Sequence, residues 1–245
     1  MSYTLLASTG ERSRSNLDSK PQPELAVSIP IATSRVVSIE PRLKKLVELV
    51  GYPTFSRYDD DNALSVRDAE PEGRDSFSIL VKAIANQQLS SKAASTILAR
   101  LRTACAGVIN PDGIVALGPE GLRPLGFSGS KSIALFELAT NVIDRRLILD
   151  GIDHLTNEEI IVSISSQRGL GKWSAEMFLI FHLGRLDVWP IDDLGVRKGY
   201  SAIFGLDEVV KPKVLDPLGE RFRPYRSILA WYCWAAVDQG NELWD

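Results

Sequence analysis

The stretch Ser166-Gln167-Arg168-Gly169-Leu170-Gly171-Lys172-Trp173-Ser174-Ala175 decides how the chain is read. Upstream of it, Thr156-Asn157-Glu158-Glu159 has the form of a capping box, with Glu159 three residues after Thr156, and starts a helix that ends near Ser166. Downstream, Lys172 to Leu183 is nearly all apolar and predicts a second helix. Gly169 and Gly171 reach positive φ freely and leave backbone N–H groups uncovered. Amides at a helix N-terminus bind phosphate oxygens, and Lys172 adds a cation beside them. The same glycines also suit a helical hairpin that merely packs, and taken alone they favour that bland alternative.

Outward from this turn, the pattern stays helical. Leu43, Leu46, Val47 and Val50 repeat at helical spacing, with Gly51 as the stop and Pro53 just beyond. Phe77, Leu80, Val81 and Ile84 form one apolar stripe, and Ala94, Ile97, Leu98 and Leu101 a second. The polar run Asn86 to Ser91 separates them. Further helices are expected over Ile133–Ile143, Leu194–Phe204 and Tyr225–Val237. Gly118-Pro119-Glu120-Gly121 and Gly126 to Gly129 read as connectors. No alternating strand and no internal repeat emerges, so the expected class is all-α. Residues 1–34 read as a disordered arm, order begins at Pro41, and 35–245 form the helical domain. The acidic stretch 56–75, with Asp59, Asp60 and Asp61, reads as a solvated loop turned away from any anionic partner.

Composition narrows the field. The net charge is −3, so affinity for a polyanion has to come from a local surface. From Ser166 to Trp234 ten basic residues face eight acidic ones, only a mild local excess. The two cysteines, Cys105 and Cys233, exclude a four-cysteine cluster or zinc site and any disulfide framework. No apolar run is long enough to span a bilayer, and no apolar leader is visible, so an intracellular protein is expected.

Eighteen residues after Lys172 comes Pro190-Ile191-Asp192-Asp193-Leu194. With it the chain resembles the helix-hairpin-helix DNA glycosylase superfamily, and within it the 3-methyladenine DNA glycosylase II group. Five segments in family order carry the likeness. They are Ile84-Ala85-Asn86-Gln87-Gln88-Leu89-Ser90, Gly126-Phe127-Ser128, the hairpin over about 156–184, the Gly/Pro-Asp loop 185–193, and Arg223-Pro224-Tyr225-Arg226-Ser227. The resemblance runs from about Phe77 to Trp234, roughly two thirds of the chain. The resemblance implies a two-lobed helical fold with the active site in the cleft between the lobes. Residues 1–40 are too short and polar for the extra N-terminal β domain of some bacterial relatives.

By the same resemblance Asp193 is the catalytic carboxylate. Cleaving a glycosidic bond builds positive charge on the sugar, which a fixed carboxylate stabilises while it orients water. An Asp-Asp pair is also a common helix cap, and the two roles are compatible at Asp193. Asp192 is assigned to capping or loop structure. Relatives that also cut the backbone carry a Schiff-base lysine where this chain has Trp173. Lys172, one place along, is turned about 100° away on a helix. A monofunctional enzyme that uses water and leaves an abasic site is therefore expected. Trp173 offers a π face to a cationic alkylated purine, worth about 0.5–2 kcal/mol. Met177 and Trp234 join it as pocket residues, although core packing suits Trp234 equally, and Met177 stands where some relatives have tyrosine.

The target base has to leave the duplex, and Gln88, Leu89 or Ser90 is the expected minor-groove wedge, with a helix-end core role the alternative for Leu89. Gly169, Leu170, Gly171, Lys172 and Ser174 are the expected DNA-backbone contacts. Arg168 departs from the family's small residue there and either adds a phosphate contact or loosens the turn. The resemblance implies no cofactor and no required metal, and a monovalent cation on the carbonyls of Ser165, Gln167 and Leu170. The expected partner of a monomeric enzyme is double-stranded DNA with alkylated bases, in a bacterial cytoplasm or a nucleus. The alternatives are a lesion-recognising DNA-binding protein without catalysis, and a bifunctional oxidised-base glycosylase/lyase.

Overall fold

Short polar side chains start most of the helices. Asp75, Asn110, Thr156 and Asp193 each accept a hydrogen bond from a first-turn backbone N–H, and Ser90 and Ser128 do the same. Each such cap is worth about 1 kcal/mol. At Thr156 the capping box is complete, with Glu159 returning a carboxylate to the Thr156 N–H at 2.8 Å.

The computed structural model describes residues 28–55 and 75–240. In order the helices are α1 (Ile29–Ile39), α2 (Leu43–Val50), α3 (Ser76–Asn86), α4 (Ser91–Ala104), α5 (Pro111–Leu122) and α6 (Gly129–Ile143). Then come α7 (Asn157–Ser165), α8 (Lys172–Met177), α9 (Leu194–Phe204), α10 (Pro212–Gly219) and α11 (Arg226–Gln239). A π-helical turn, Phe178–His182, continues α8. Among the described residues there is no strand, so the all-α class holds.

Packing falls into two groups. α5 lies along α6, with α3 and α4 against them, while α9 lies along α11, with α1 and α2 on α11. The α7–α8 hairpin and the π turn against α3 connect the two. Leu80, Ile84, Leu101, Ile114 and Leu135 fill the first group and Val36, Leu46, Ile203, Leu215 and Ile228 the second, in one continuous core. The α9–α11 approach is so close that a Cβ on Gly199 would sit 1.8 Å from the Cys233 carbonyl oxygen. Only glycine fits there.

Four expectations need correction. Of the arm assigned to 1–34, residues 29–34 are helical, so order begins before Pro41; Ala32 and Val36 of α1 are wholly buried. Their apolar spacing is diluted by Thr33, Ser34 and Ser38, which hides the pattern. Residues 1–27 of that arm, and 56–74 of the acidic stretch, lie outside the described residues. Gly118-Pro119 is a kink inside α5 rather than a full connector, with Gly118 at φ +62°. The expected helix 172–183 becomes α-helical then π-helical at Phe178. α10 was not anticipated, because Pro212 and Pro217 both stand in it.

Candidate active site

The hairpin builds the site from its turn outward. Gly169 takes φ +80°, and a Cβ there would press on Ala134 at 3.1 Å. Leu170 turns inward, 4% exposed, and its N–H is used on the Gln167 carbonyl at 3.0 Å. Gly171 is exposed and serves as the N-cap of α8, with open space around its Cα. The first-turn amides of α8 thus emerge at the surface beside the turn.

α8 and the π turn form one wall of a cavity of about 670 Å³, and α3 forms the other. Trp173, Ser174 and Met177 line it from α8, and Phe178, Phe181 and His182 from the π turn. The π turn matters here. Leu183 N–H bonds the Phe178 carbonyl five residues back, so Phe178, Phe181 and His182 all reach the cavity. Ile79, Leu80 and Ala83 face them from α3, and Asn86, Gln87 and Gln88 stand at the mouth. Trp173 is 51% exposed, a large aromatic left open to an apolar cavity. His182 of this lining has its Nε2 3.1 Å from Ser76 Oγ, at the start of α3.

Asp193 sits at the edge of this wall. Its Oδ2 accepts the Trp173 indole N–H at 2.6 Å. Its Oδ1 accepts the Trp234 indole N–H at 2.9 Å and the Val196 amide at 2.8 Å. The carboxylate is therefore fixed by three donors and caps α9 as well. Trp234 does not line the cavity itself; it lies tilted against Phe181, which does, with ring centroids 5.5 Å apart. The loop before Asp193 is pinned from α11. Ser227 Oγ donates to the Arg185 carbonyl at 2.7 Å and accepts from Val188 N at 2.9 Å, while Arg226 and Arg223 hold Asp187 at 2.6 and 2.7 Å. This is the work of the Arg223–Ser227 segment.

Several expected residues take other roles. Asp192 does not cap α9; its Oδ2 takes Lys172 Nζ at 3.3 Å. Lys172 also reaches the buried Glu176 at 3.4 Å, so its ammonium is paired with two carboxylates while half of its side chain stays exposed. Ser174 is 7% exposed and belongs to the cavity rather than to an outer surface. Ser90 Oγ is used as the α4 cap, whereas Leu89 is 40% exposed, which removes the core alternative for it. Gln88 beside it holds φ +57°, an uncommon conformation for a non-glycine residue. Arg168 pairs with Glu137 at 3.2 Å. Five of the ten basic residues of this half are thus held by acids: Arg168, Lys172, Arg221, Arg223 and Arg226.

Sequence reasoning missed Phe181, His182, Glu176 and Lys131. Glu176 and His182 did carry a signal, since each is a lone titratable residue inside the apolar run Trp173–Leu183. Lys131 carried none: nothing in Ser128-Gly129-Ser130-Lys131 says that its ammonium turns inward.

An all-helical body with a Gly-x-Gly hairpin, an aromatic cavity and an aspartate capping the next helix defines a helix-hairpin-helix base-excision protein. Residues 81–224 match the family described as HhH-GPD superfamily base excision DNA repair protein. The chain is 32% identical to DNA-3-methyladenine glycosylase 1 of Schizosaccharomyces pombe over 89% of its length and 92% of that protein. A solved S. pombe 3-methyladenine DNA glycosylase in complex with abasic DNA superposes with TM-score 0.66 at 32% identity, over 83% of this chain and 94% of that one. A Bacillus halodurans DNA-3-methyladenine glycosidase gives 0.71 at 28% identity, over 86% and 93%. The chain belongs to the HhH-GPD superfamily of base excision DNA repair proteins, in its 3-methyladenine DNA glycosylase group.

Proposed function

We propose that the protein is a monofunctional DNA glycosylase that hydrolyses the N-glycosidic bond of alkylated purines in duplex DNA and leaves an abasic site, with Asp193 as the catalytic carboxylate. The enzyme is a hydrolase of N-glycosyl bonds. The observation that carries the assignment of Asp193 is its bonding to both Trp173 and Trp234, which sets one carboxylate at the rim of the aromatic cavity.

The damaged base is extruded and enters the cavity, whose 670 Å³ and apolar lining suit a purine. Trp173 stacks on it, and cation–π attraction favours an electron-poor alkylated ring over a normal one. As the glycosidic bond lengthens, positive charge grows on the deoxyribose. The fixed Asp193 carboxylate stabilises it and directs water to the anomeric carbon. Covalent lyase chemistry finds no amine here. Trp173 occupies the hairpin position, and Lys172 is clamped between Glu176 and Asp192.

The phosphate backbone is taken by the amides around Gly169, Gly171 and the start of α8, since the cations nearest the turn, Arg168 and Lys172, are paired with acids. The carbonyls of Ser165, Gln167 and Leu170 are oxygen donors suited to a monovalent cation. Gln167 O keeps one lone pair after accepting Leu170 N–H, so these residues fit such an ion, which would lend the turn positive charge. Gln88 and Leu89, at the exposed tip between α3 and α4, fill the gap left by the base. The protein acts as a monomer, inside the cell with its DNA. Among the described residues no helix is long and apolar enough to cross a membrane.

The test is incubation with duplex DNA carrying 3-methyladenine or 7-methylguanine. Free base and an alkali-labile site are expected, without strand cutting before alkali. A borohydride-trapped protein–DNA adduct would overturn the monofunctional assignment.

A further inference from the structure

Lys131 lies in the first turn of α6, yet its side chain serves a different part of the molecule. Its Nζ donates to the Ala85 carbonyl at 2.9 Å and to the Gln87 carbonyl at 2.6 Å. These are carbonyls at the C-terminal end of α3, where helical partners run out. Gln87 in turn donates its side-chain amide to the Gly169 carbonyl at 2.6 Å, across 82 residues of sequence. The next residue, Gln88, is the one held at φ +57°, and Leu89 beyond it is exposed. A single ammonium and a single carboxamide therefore tie three elements together: α6, the exposed turn after α3, and the glycine hairpin.

We propose that Lys131 is a positioning residue for base extrusion, which through Gln87 braces the Gln88-Leu89 tip against the Gly169–Gly171 hairpin. The proposal rests on the glycosylase reading above. The geometry explains why the brace is needed. A tip that wedges into a base stack meets a load of a few kcal/mol per unstacked step. A turn hung only on its own backbone would yield to that load, and the left-handed Gln88 would relax toward an ordinary conformation. An ammonium fits the role because it offers three donors and no acceptor, so it can hold two carbonyls at once. Its position is also partly desolvated, and burial pulls the Lys131 amine below its usual range. The hairpin end of the brace is the part that grips the phosphate backbone, so gripping and wedging share one rigid unit.

The test compares wild type, Lys131→Met, Lys131→Arg and Gln87→Ala on two duplexes. In one the alkylated purine is paired; in the other it faces an abasic site and needs no unpairing. Wild type releasing base from both establishes the parent reading, so the ratio of the two rates speaks only of the brace. For Lys131→Met and Gln87→Ala that ratio is expected to fall about tenfold or more, with partial rescue in Lys131→Arg. A 2-aminopurine placed beside the lesion reads extrusion without chemistry, and its rise on binding is expected to weaken in the same variants. Equal loss on both duplexes, or no loss on either, overturns the proposal. Gln87→Ala, which removes the carboxamide bonded to Gly169 and leaves Lys131 in place, decides the matter if Lys131→Met does not fold.

Discussion

Trp234 donates its indole N–H to Oδ1 of Asp193 at 2.9 Å, although 41 residues separate the two in sequence. The contact exists because Gly195 stands between them. A Cβ on Gly195 would lie 2.7 Å from Trp234 Cδ1 and 3.1 Å from the Asp193 carboxylate. With Trp173 on Oδ2, the acid is gripped by two indoles whose rings also build or buttress the cavity. The position of the carboxylate and the shape of the base site are thus one structural variable.

Trp234→Phe keeps a ring against Phe181 and removes only the donor. A hydrogen bond to a charged group is worth about 1.5–3 kcal/mol, so kcat for base release is expected to fall about 10- to 100-fold with little change in KM. Trp173→Phe loses a donor and alters the stacking face, and both constants are expected to suffer. Steady-state kinetics on one lesion separates the two variants; an unchanged kcat in Trp234→Phe speaks against the grip.

Gly199→Ala and Gly195→Ala should fail differently. At Gly199 the new methyl meets backbone of α11, which cannot move alone, and a loss of about 3 kcal/mol or more is expected in thermal or urea unfolding. At Gly195 it meets an indole, which can swing aside at smaller cost in stability. Gly195→Ala is therefore expected to stay folded and lose base release. Equal melting temperatures for the two variants would contradict this.

Glu176 gives a pH signature. Burial pushes its carboxyl up, the Lys172 ammonium draws it back, and the charges of Asp192 and Asp193 raise it again, leaving it above the ordinary 4.5. A folded-state value above the unfolded one means that its stabilising contribution is complete below 4.5 and is lost as pH rises through the raised value. Glu176→Gln stays neutral throughout and lacks that loss. Its melting temperature relative to wild type is expected to climb as pH rises above 4.5. A difference that is flat with pH would show that Glu176 titrates alike in the folded and unfolded chain and would contradict its raised carboxyl.

Much of this was legible in the chain because it depends on local signals. The Thr156 capping box, the Gly169 and Gly171 turn and the Leu194–Phe204 helix are written in a few adjacent residues, and the structure has them where spacing puts them. That Asp193 caps α9 was equally local. Its grip by Trp234 was not, because it depends on two glycines that let α9 and α11 touch. The direction of Lys172 was misjudged for a related reason. Its partners Glu176 and Asp192 lie four and twenty residues away, and only folding brings both to its ammonium. The π turn escaped notice because an apolar run such as Phe178 to Leu183 looks the same with four- or five-residue hydrogen bonding. α1 and α10 were missed through polar and proline residues that tertiary packing overrides.

The most direct measurement is release of free base from a panel of lesion-bearing duplexes by wild type and Asp193→Asn. Asparagine keeps the size, but its amide nitrogen would confront an indole N–H donor. Wild type is expected to excise alkylated purines, and Asp193→Asn to bind the same DNA yet lose about 100-fold or more in rate. Matching rates for the two proteins, or no release by wild type from any alkylated duplex, would contradict the account.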